Sequence, residues 1–212
     1  MKLNSAVALP RFFGLIVMGF LVSCSRKWEL MPTPIVHQYN GGKSFRHLES
    51  NGGSADLQIF YATNRIPEGD GRKPWYGNGV SQDIRVGVNR IRFGERPITL
   101  KSLVRATSQQ EREEEIPMEL ESVAEQALIT REDISNPDPG AKKFADQINQ
   151  VLAESKFNKI HLFVHGANSS FFLSAVQGGQ FHHFMARDGA FINMSWPTTQ
   201  SLLTYGKDVE AA

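Results

Sequence analysis

His165-Gly166-Ala167-Asn168-Ser169-Ser170 contains the residue types from which an anion-binding turn is built. The apolar run Lys159 to Val164 stops at His165-Gly166, and an apolar stretch suited to a helix follows. Glycine lets a backbone turn sharply and lets another group approach closely. The first N–H groups of a helix lack partners within it and can point into one space. Such a cluster suits a developing negative oxygen, as in an oxyanion hole. A purely structural reading fits the same six residues: Gly166 makes a tight turn, Asn168 or Ser169 caps the helix, and His165 is a hydrogen-bonded strand-end residue. The pair His-Gly alone does not separate these readings.

The remaining chemistry-bearing residues form no second constellation. His161 and His165, four apart on a strand, stand about 13 Å apart on one face. His182 and His183, adjacent on a helix, point about 100° apart. With no His-x-x-Glu-His or cysteine companion, neither pair is expected to bind metal, and no cofactor is expected. Tyr61, Trp75, Tyr76 and Trp196 could line an acyl or aromatic pocket, but scattered aromatics more commonly pack a core or a loop. No G-x-S-x-G nucleophile elbow occurs: Gly53-Ser54 lacks the pattern, and Gly79-Val80-Ser81 runs on into Gln82-Asp83. Ser169 and Ser170 read as helix-capping or pocket residues. Ser195 reads as structural, with Trp196 packing and Pro197 blocking a helix.

The elements that must position the turn follow from periodicity. Asp138 suits a helix N-cap and Pro139 the first helical position. Ala141, Phe144, Ala145, Ile148, Val151 and Leu152 then make an i, i+3, i+4, i+7 stripe. A strand over 159–164, a helix from about Ser170 to Arg187 and a strand over 190–194 come next. Gly178 and Gly179 weaken that helix by about 1 kcal/mol each relative to alanine, and Gly189 ends or follows it. Helix, strand, helix, strand is the order of a parallel α/β sheet, in which ligands collect at the carboxyl ends of the strands. Upstream, 57–62 reads as a strand, 66–79 as a Gly/Pro loop, 84–93 as a half-buried strand and 99–106 as a weaker strand. The run 108–115 reads as a solvated loop, and 118–129 is ambiguous between helix and strand. The last fifteen residues look like the start of a helix.

The chain has 212 residues, 41% hydrophobic and 21% charged, with net charge +1. That suffices for one well-buried domain and gives no basic excess for nucleic acid. Lys2 and Arg11 precede an apolar run, Phe12 to Val22, too short to span a bilayer but suited to an export signal. It ends in Leu21-Val22-Ser23-Cys24, which resembles the lipobox of bacterial lipoproteins. The resemblance implies removal of residues 1–23, lipidation of Cys24, and attachment to the cell envelope. Ser25 after the cysteine implies the outer membrane, facing the periplasm. Diacylation gives stable rather than transient anchoring. Cys24 is the sole cysteine, so the mature chain has no disulfide. Residues 24–54, rich in Gly, Pro, Asn and His, read as a tether, and 55–212 as the folded part.

Four segments together resemble a family of bacterial α/β-hydrolase-like proteins of the esterase/lipase superfamily. They are Phe60 to Arg65 (FYATNR), Phe163 to Asn168 with Ser170-Phe171, Ser195-Trp196-Pro197, and Leu203 to Asp208 (LTYGKD). The resemblance covers roughly 57–212. It implies a three-layer α/β-hydrolase-like sheet, incomplete at the carboxyl end. It also implies that Gly166 and Ala167 offer oxyanion-hole N–H groups, with His165 and Asn168 shaping the loop. Ala167 departs from the family, which more often has an aromatic residue there, and this opens one wall of the pocket. The implied serine, acid and histidine would follow in that order beyond these segments, so no catalytic residue is assigned. His165 is not the implied base, which comes last in the chain. The expectation is a lipid-anchored protein resembling a serine hydrolase. It acts on a small ester or acyl substrate only if the chain is completed, is inactive as given, and is marginally stable with an exposed sheet edge. The alternatives are a non-catalytic envelope lipoprotein that binds a partner or ligand, and a frameshifted product.

Overall fold

A computed structural model describes residues 28–50, 54–68, 75–134 and 136–198. The expected signal segment, Cys24 and Leu203 to Asp208 lie outside the described residues. Six strands form one mixed sheet: β1 (Trp28–Glu29), β2 (Leu57–Glu68), β3 (Trp75–Phe93), β4 (Pro117–Ile129), β5 (Ile160–Val164) and β6 (Ala190–Ser195), in the order β1-β4-β3-β2-β6-β5. β2, β3 and β4 form an antiparallel meander. β6 lies parallel to both β2 and β5, as the alternation of helices and strands requires.

Helices cover both faces, giving the three-layer α/β architecture. On one face α5 (Phe171–Phe184) and α3 (Leu100–Ala106) enclose Ile59, Tyr61, Ile91, Phe93 and Leu103. On the other, α4 (Pro139–Glu154) lays Phe144 and Ile148 on Phe60, Val86 and Ala190. β2 thus buries both of its faces, which explains its near-continuous apolar run. Asp138 caps α4, its carboxylate accepting from the Gly140 and Ala141 N–H groups at 2.7 and 3.3 Å. Gly178 and Gly179, costly to the helix in isolation, serve its approach to the sheet. A Cβ on Gly178 would meet Phe191 at 3.2 Å, and one on Gly179 would meet Ile91 at 3.0 Å.

Four upstream expectations are corrected. The segment 66–79 is not a loop throughout, because β2 runs to Glu68 and β3 begins at Trp75, with Pro67 opposite Tyr76. The glycines at 77 and 79 sit close against Glu68 and Ile66 across the hairpin, so they permit strand approach rather than a turn. Residues 100–106 are helical, not extended. The Thr99 side chain accepts from the Ser102 N–H at 3.1 Å, and Leu100, Leu103 and Val104 fall at i, i+3, i+4 on the buried side. Residues 28–50 do not form a tether. They carry β1, α1 (Ile35–Asn40) and α2 (Arg46–Ser50), with Leu30, His37 and Phe45 buried. α5 ends at Phe184, short of Arg187, because Ala186 and Arg187 take left-handed conformations. Arg187 then reaches the Ser54, Ala55 and Asp56 carbonyls. The ambiguous segment 118–129 is strand β4.

β5 is an edge strand, and its side chains divide cleanly. Phe163 packs on Phe181 and Phe191 beneath α5. Ile160, Leu162 and Val164 point to the α4 side, where they remain 54, 65 and 55% exposed among the described residues. An unpaired edge with an apolar stripe is a template for edge-to-edge association. Leu162→Lys should therefore reduce concentration-dependent light scattering while changing the unfolding free energy measured in urea by no more than an exposed substitution does, about 0.5 kcal/mol.

Candidate functional site

The sheet places the carboxyl ends of β5 and β6 side by side, with Val164 opposite Met194. The chain leaves β5 as 165–170 and enters α5, and it leaves β6 as 196–198. His165 is buried under Trp196, their rings stacked at 5.5 Å and an interplanar angle of 1°. The Trp196 indole N–H donates to the His165 carbonyl at 2.9 Å. These contacts fix the exit of β5 against the exit of β6.

The protonation pattern around His165 follows from its partners. Nδ1 lies 2.6 Å from the Gly166 carbonyl, which only accepts, so Nδ1 carries the proton. Nε2 then presents its lone pair toward Ser195 Oγ at 3.5 Å. Ser195 Oγ in turn accepts from Arg65 Nε at 3.0 Å. Burial pushes the His165 pKa down, the Gly166 carbonyl opposes that, and the Arg65 charge reinforces it. The ring is held neutral. Ser195 and His165 resemble a nucleophile–base pair in composition, but the Ser195 hydroxyl is fully enclosed and already occupied by Arg65. Ser195 thus sits as an acceptor for Arg65, and His165 is held by the Gly166 carbonyl and the Trp196 ring.

Arg65 is the residue that sequence reasoning left without a task. Its fully buried guanidinium donates to Ser195 Oγ, to the Gly77 carbonyl at 2.9 Å, to Asn78 Oδ1 at 2.9 Å and to the Ser169 carbonyl at 2.7 Å. Ser169 is also gripped by Thr198, whose hydroxyl accepts from its N–H at 2.9 Å and donates to its carbonyl at 2.7 Å. Thr63 Oγ1 donates to the Ser195 carbonyl at 2.5 Å. Thus FYATNR, HGANSS and SWP, separate in sequence, meet around one side chain. Thr198 carried no recognisable signal, whereas Arg65 could have been suspected as a charge terminating a buried strand.

The turn itself is held at both ends and open in the middle. Asn168 adopts φ 59°, a left-handed conformation in which asparagine is favoured among non-glycine residues. Ser170 caps α5, its hydroxyl accepting from the Leu173 N–H at 3.1 Å. Gly166 and Asn168 are exposed and Ala167 is half-buried. A Cβ on Gly166 would meet nothing within 4 Å, so packing within the described residues does not require glycine there. Nor do the Gly166 and Ala167 N–H groups donate to any described residue. Behind the turn, Phe171 packs on Tyr61 and Tyr76, whose hydroxyls lie 2.8 Å apart, with Tyr76 donating to Glu125 at 2.6 Å. Burial pushes both phenols up, so they act as neutral donors and core rings rather than as bases.

The four histidines are dispersed. His182 is buried against Phe191, and desolvation lowers its pKa to about 3. His183 lies between Phe45 and Arg187, with Nε2 3.1 Å from Thr107 Oγ1. Among the described residues no three His, Cys, Asp or Glu side chains gather where they could hold a metal ion. No described helix is long and apolar enough to cross a membrane.

A family model described as "Alpha/beta hydrolase of unknown function (DUF900)" matches residues 141–212, from α4 through the HGANSS turn and the SWP exit. No curated protein and no solved structure matches the chain. The match spans both loops that Arg65 joins but does not include Arg65 itself. Arg65→Lys keeps the charge but loses the planar fork, stranding the Ser169 and Ser195 acceptors or the cation. Denaturant unfolding should show a loss of about 3 kcal/mol or more, against about 1–3 kcal/mol for Thr198→Val.

Proposed function

We propose that the 165–169 turn is one half of the oxyanion hole of a serine-type hydrolase acting on an ester or similar acyl bond. The supporting observation is the pair of undirected N–H groups at Gly166 and Ala167. They stand at the carboxyl end of a parallel strand, donate to no described residue, and lie on a turn clamped by Arg65, Thr198 and Trp196. When a nucleophile adds to an acyl carbonyl, its oxygen takes up negative charge. Two fixed amides that need no reorientation stabilise that charge more than they stabilise the neutral carbonyl. Ala167, small where the resembling proteins favour an aromatic ring, leaves the approach to this pair wide.

The 212 residues contain no G-x-S-x-G, so the nucleophile is not among them. The polypeptide as given should not turn over a short-chain p-nitrophenyl ester, and serine-dependent turnover by it would overturn this reading of its parts. In a chain whose coding sequence continues past codon 212 into an elbow, an acid and a histidine, Ala167→Pro removes one donor. It should then lower kcat by about 10²–10³ with little change in KM. An unchanged kcat would remove Ala167 from the oxyanion hole.

The same proposal places the protein on a lipid surface through diacylated Cys24, with residues 1–23 removed, at the outer membrane and facing the periplasm. The support is the sequence Leu21-Val22-Ser23-Cys24 after the apolar run. Labelled palmitate should enter the chain in bacterial cells and be absent from Cys24→Ser. Equal labelling of the two would end the lipoprotein assignment.

A further inference from the structure

α1 presents an apolar face that nothing in the described fold covers. Ile35, Val36 and Tyr39 are 65, 59 and 85% exposed. Successive residues turn by about 100°, so these three share one arc of the helix. The opposite side is pinned: His37 is buried, its Nε2 lies 2.7 Å from the Phe184 carbonyl, and its ring stacks on Phe45 at 4.9 Å. α1 therefore cannot rotate to hide Ile35 and Tyr39. Soluble surfaces seldom place two branched aliphatics and a fully turned-out tyrosine together.

Charge indicates what covers this face. From Ser25 to Ser50 the chain carries four cations, Arg26, Lys27, Lys43 and Arg46, against two carboxylates, Glu29 and Glu49. Lys43 and Arg46 are exposed immediately after α1. β1 begins at Trp28, directly after Arg26 and Lys27. Ile35 comes eleven positions after Cys24, so the start of α1 stays within about 40 Å of any anchor at Cys24. A short apolar helix face with an amphipathic tyrosine and flanking cations has the composition of an interfacial contact with an anionic bilayer.

We infer that the face formed by Ile35, Val36 and Tyr39 rests on a lipid surface, with Lys43 and Arg46 against its anionic headgroups. The inference deepens the envelope placement proposed above, but it stands on the exposed face and can fail or hold separately. Contact at α1 converts a point attachment into a fixed orientation. The opposite layer, α4, then faces away from the membrane.

The test uses the whole chain with Cys24→Ser, carrying either Val36→Cys or Lys143→Cys, labelled with an environment-sensitive fluorophore. Lys143 is exposed on α4, across the sheet from α1. Each chain is added to phosphatidylethanolamine–phosphatidylglycerol vesicles containing a nitroxide lipid quencher. The inference expects a blue shift and loss of intensity at 36 and neither at 143, with Lys43→Glu and Arg46→Glu weakening the quenching. Equal signals at the two positions overturn it. A shift at 36 without vesicles also overturns it, assigning the face to a second copy of the chain. Quenching at 36 in a protein that takes up no palmitate would retire the Cys24 anchor and keep the surface. Palmitate uptake with an unshifted label would do the reverse.

Discussion

A guanidinium removed from water must be met by acceptors in every direction it points, and Arg65 imposes that requirement on three separate stretches of chain. The penalty for burying the cation is several kcal/mol unless its donors are used. Using them fixes the Ser169 carbonyl, the Ser195 hydroxyl, the Gly77 carbonyl and the Asn78 side chain at once. β2 is the strand that can deliver such a group, because it is buried on both faces and lies next to β6. Ser195 and Ser169 are then held at hydrogen-bonding distance from one side chain, and the turn between His165 and Ser169 has little freedom left. Gly166 and Ala167 lie between these held points, and their N–H groups donate to no described residue.

The opposite end of α5 is tied by a different kind of contact. His37, Phe45, Phe93 and His183 stack in one cluster, with Arg187 over Phe93 and donating to His183. Desolvation holds His183 well below its ordinary range and brings Arg187 down to about 10. Both histidines of the 182–183 pair are therefore neutral packing groups. Their adjacency on the helix places one ring against Phe191 and the other against Phe45. α5 is thereby fastened at its start through Ser170 and Phe171 and at its end through His183 and Arg187.

The legible parts of the sequence were those where local chemistry and burial agree. Asp138-Pro139 and the stripe behind it could be nothing but a capped amphipathic helix, and β5, α5 and β6 followed with no edge shifted by more than three residues. The 66–79 hairpin was hidden because glycine and proline signal turns from composition alone, whereas here the glycines make room for side chains of the facing strand. Residues 28–50 were hidden because their order comes from long-range contacts, such as His37 with Phe184, that no local period records. The candidate turn was visible as a motif. Its clamps were not, because Arg65 and Thr198 act over 104 and 29 residues of sequence.

Those separations bear on when the site comes into being. The meander closes through the β2–β3 hairpin and the α3 connection between β3 and β4, both nearer in sequence than the bond from Thr63 to Ser195, which spans 132 residues. Loop-closure entropy and parallel pairing make such contacts late and slow. Until β6 slides in beside β2, Arg65 has no Ser195 to meet and the 165–169 turn has no clamp. The 165–169 turn acquires its clamps only late in assembly, so a partly folded chain already rich in sheet would still lack them.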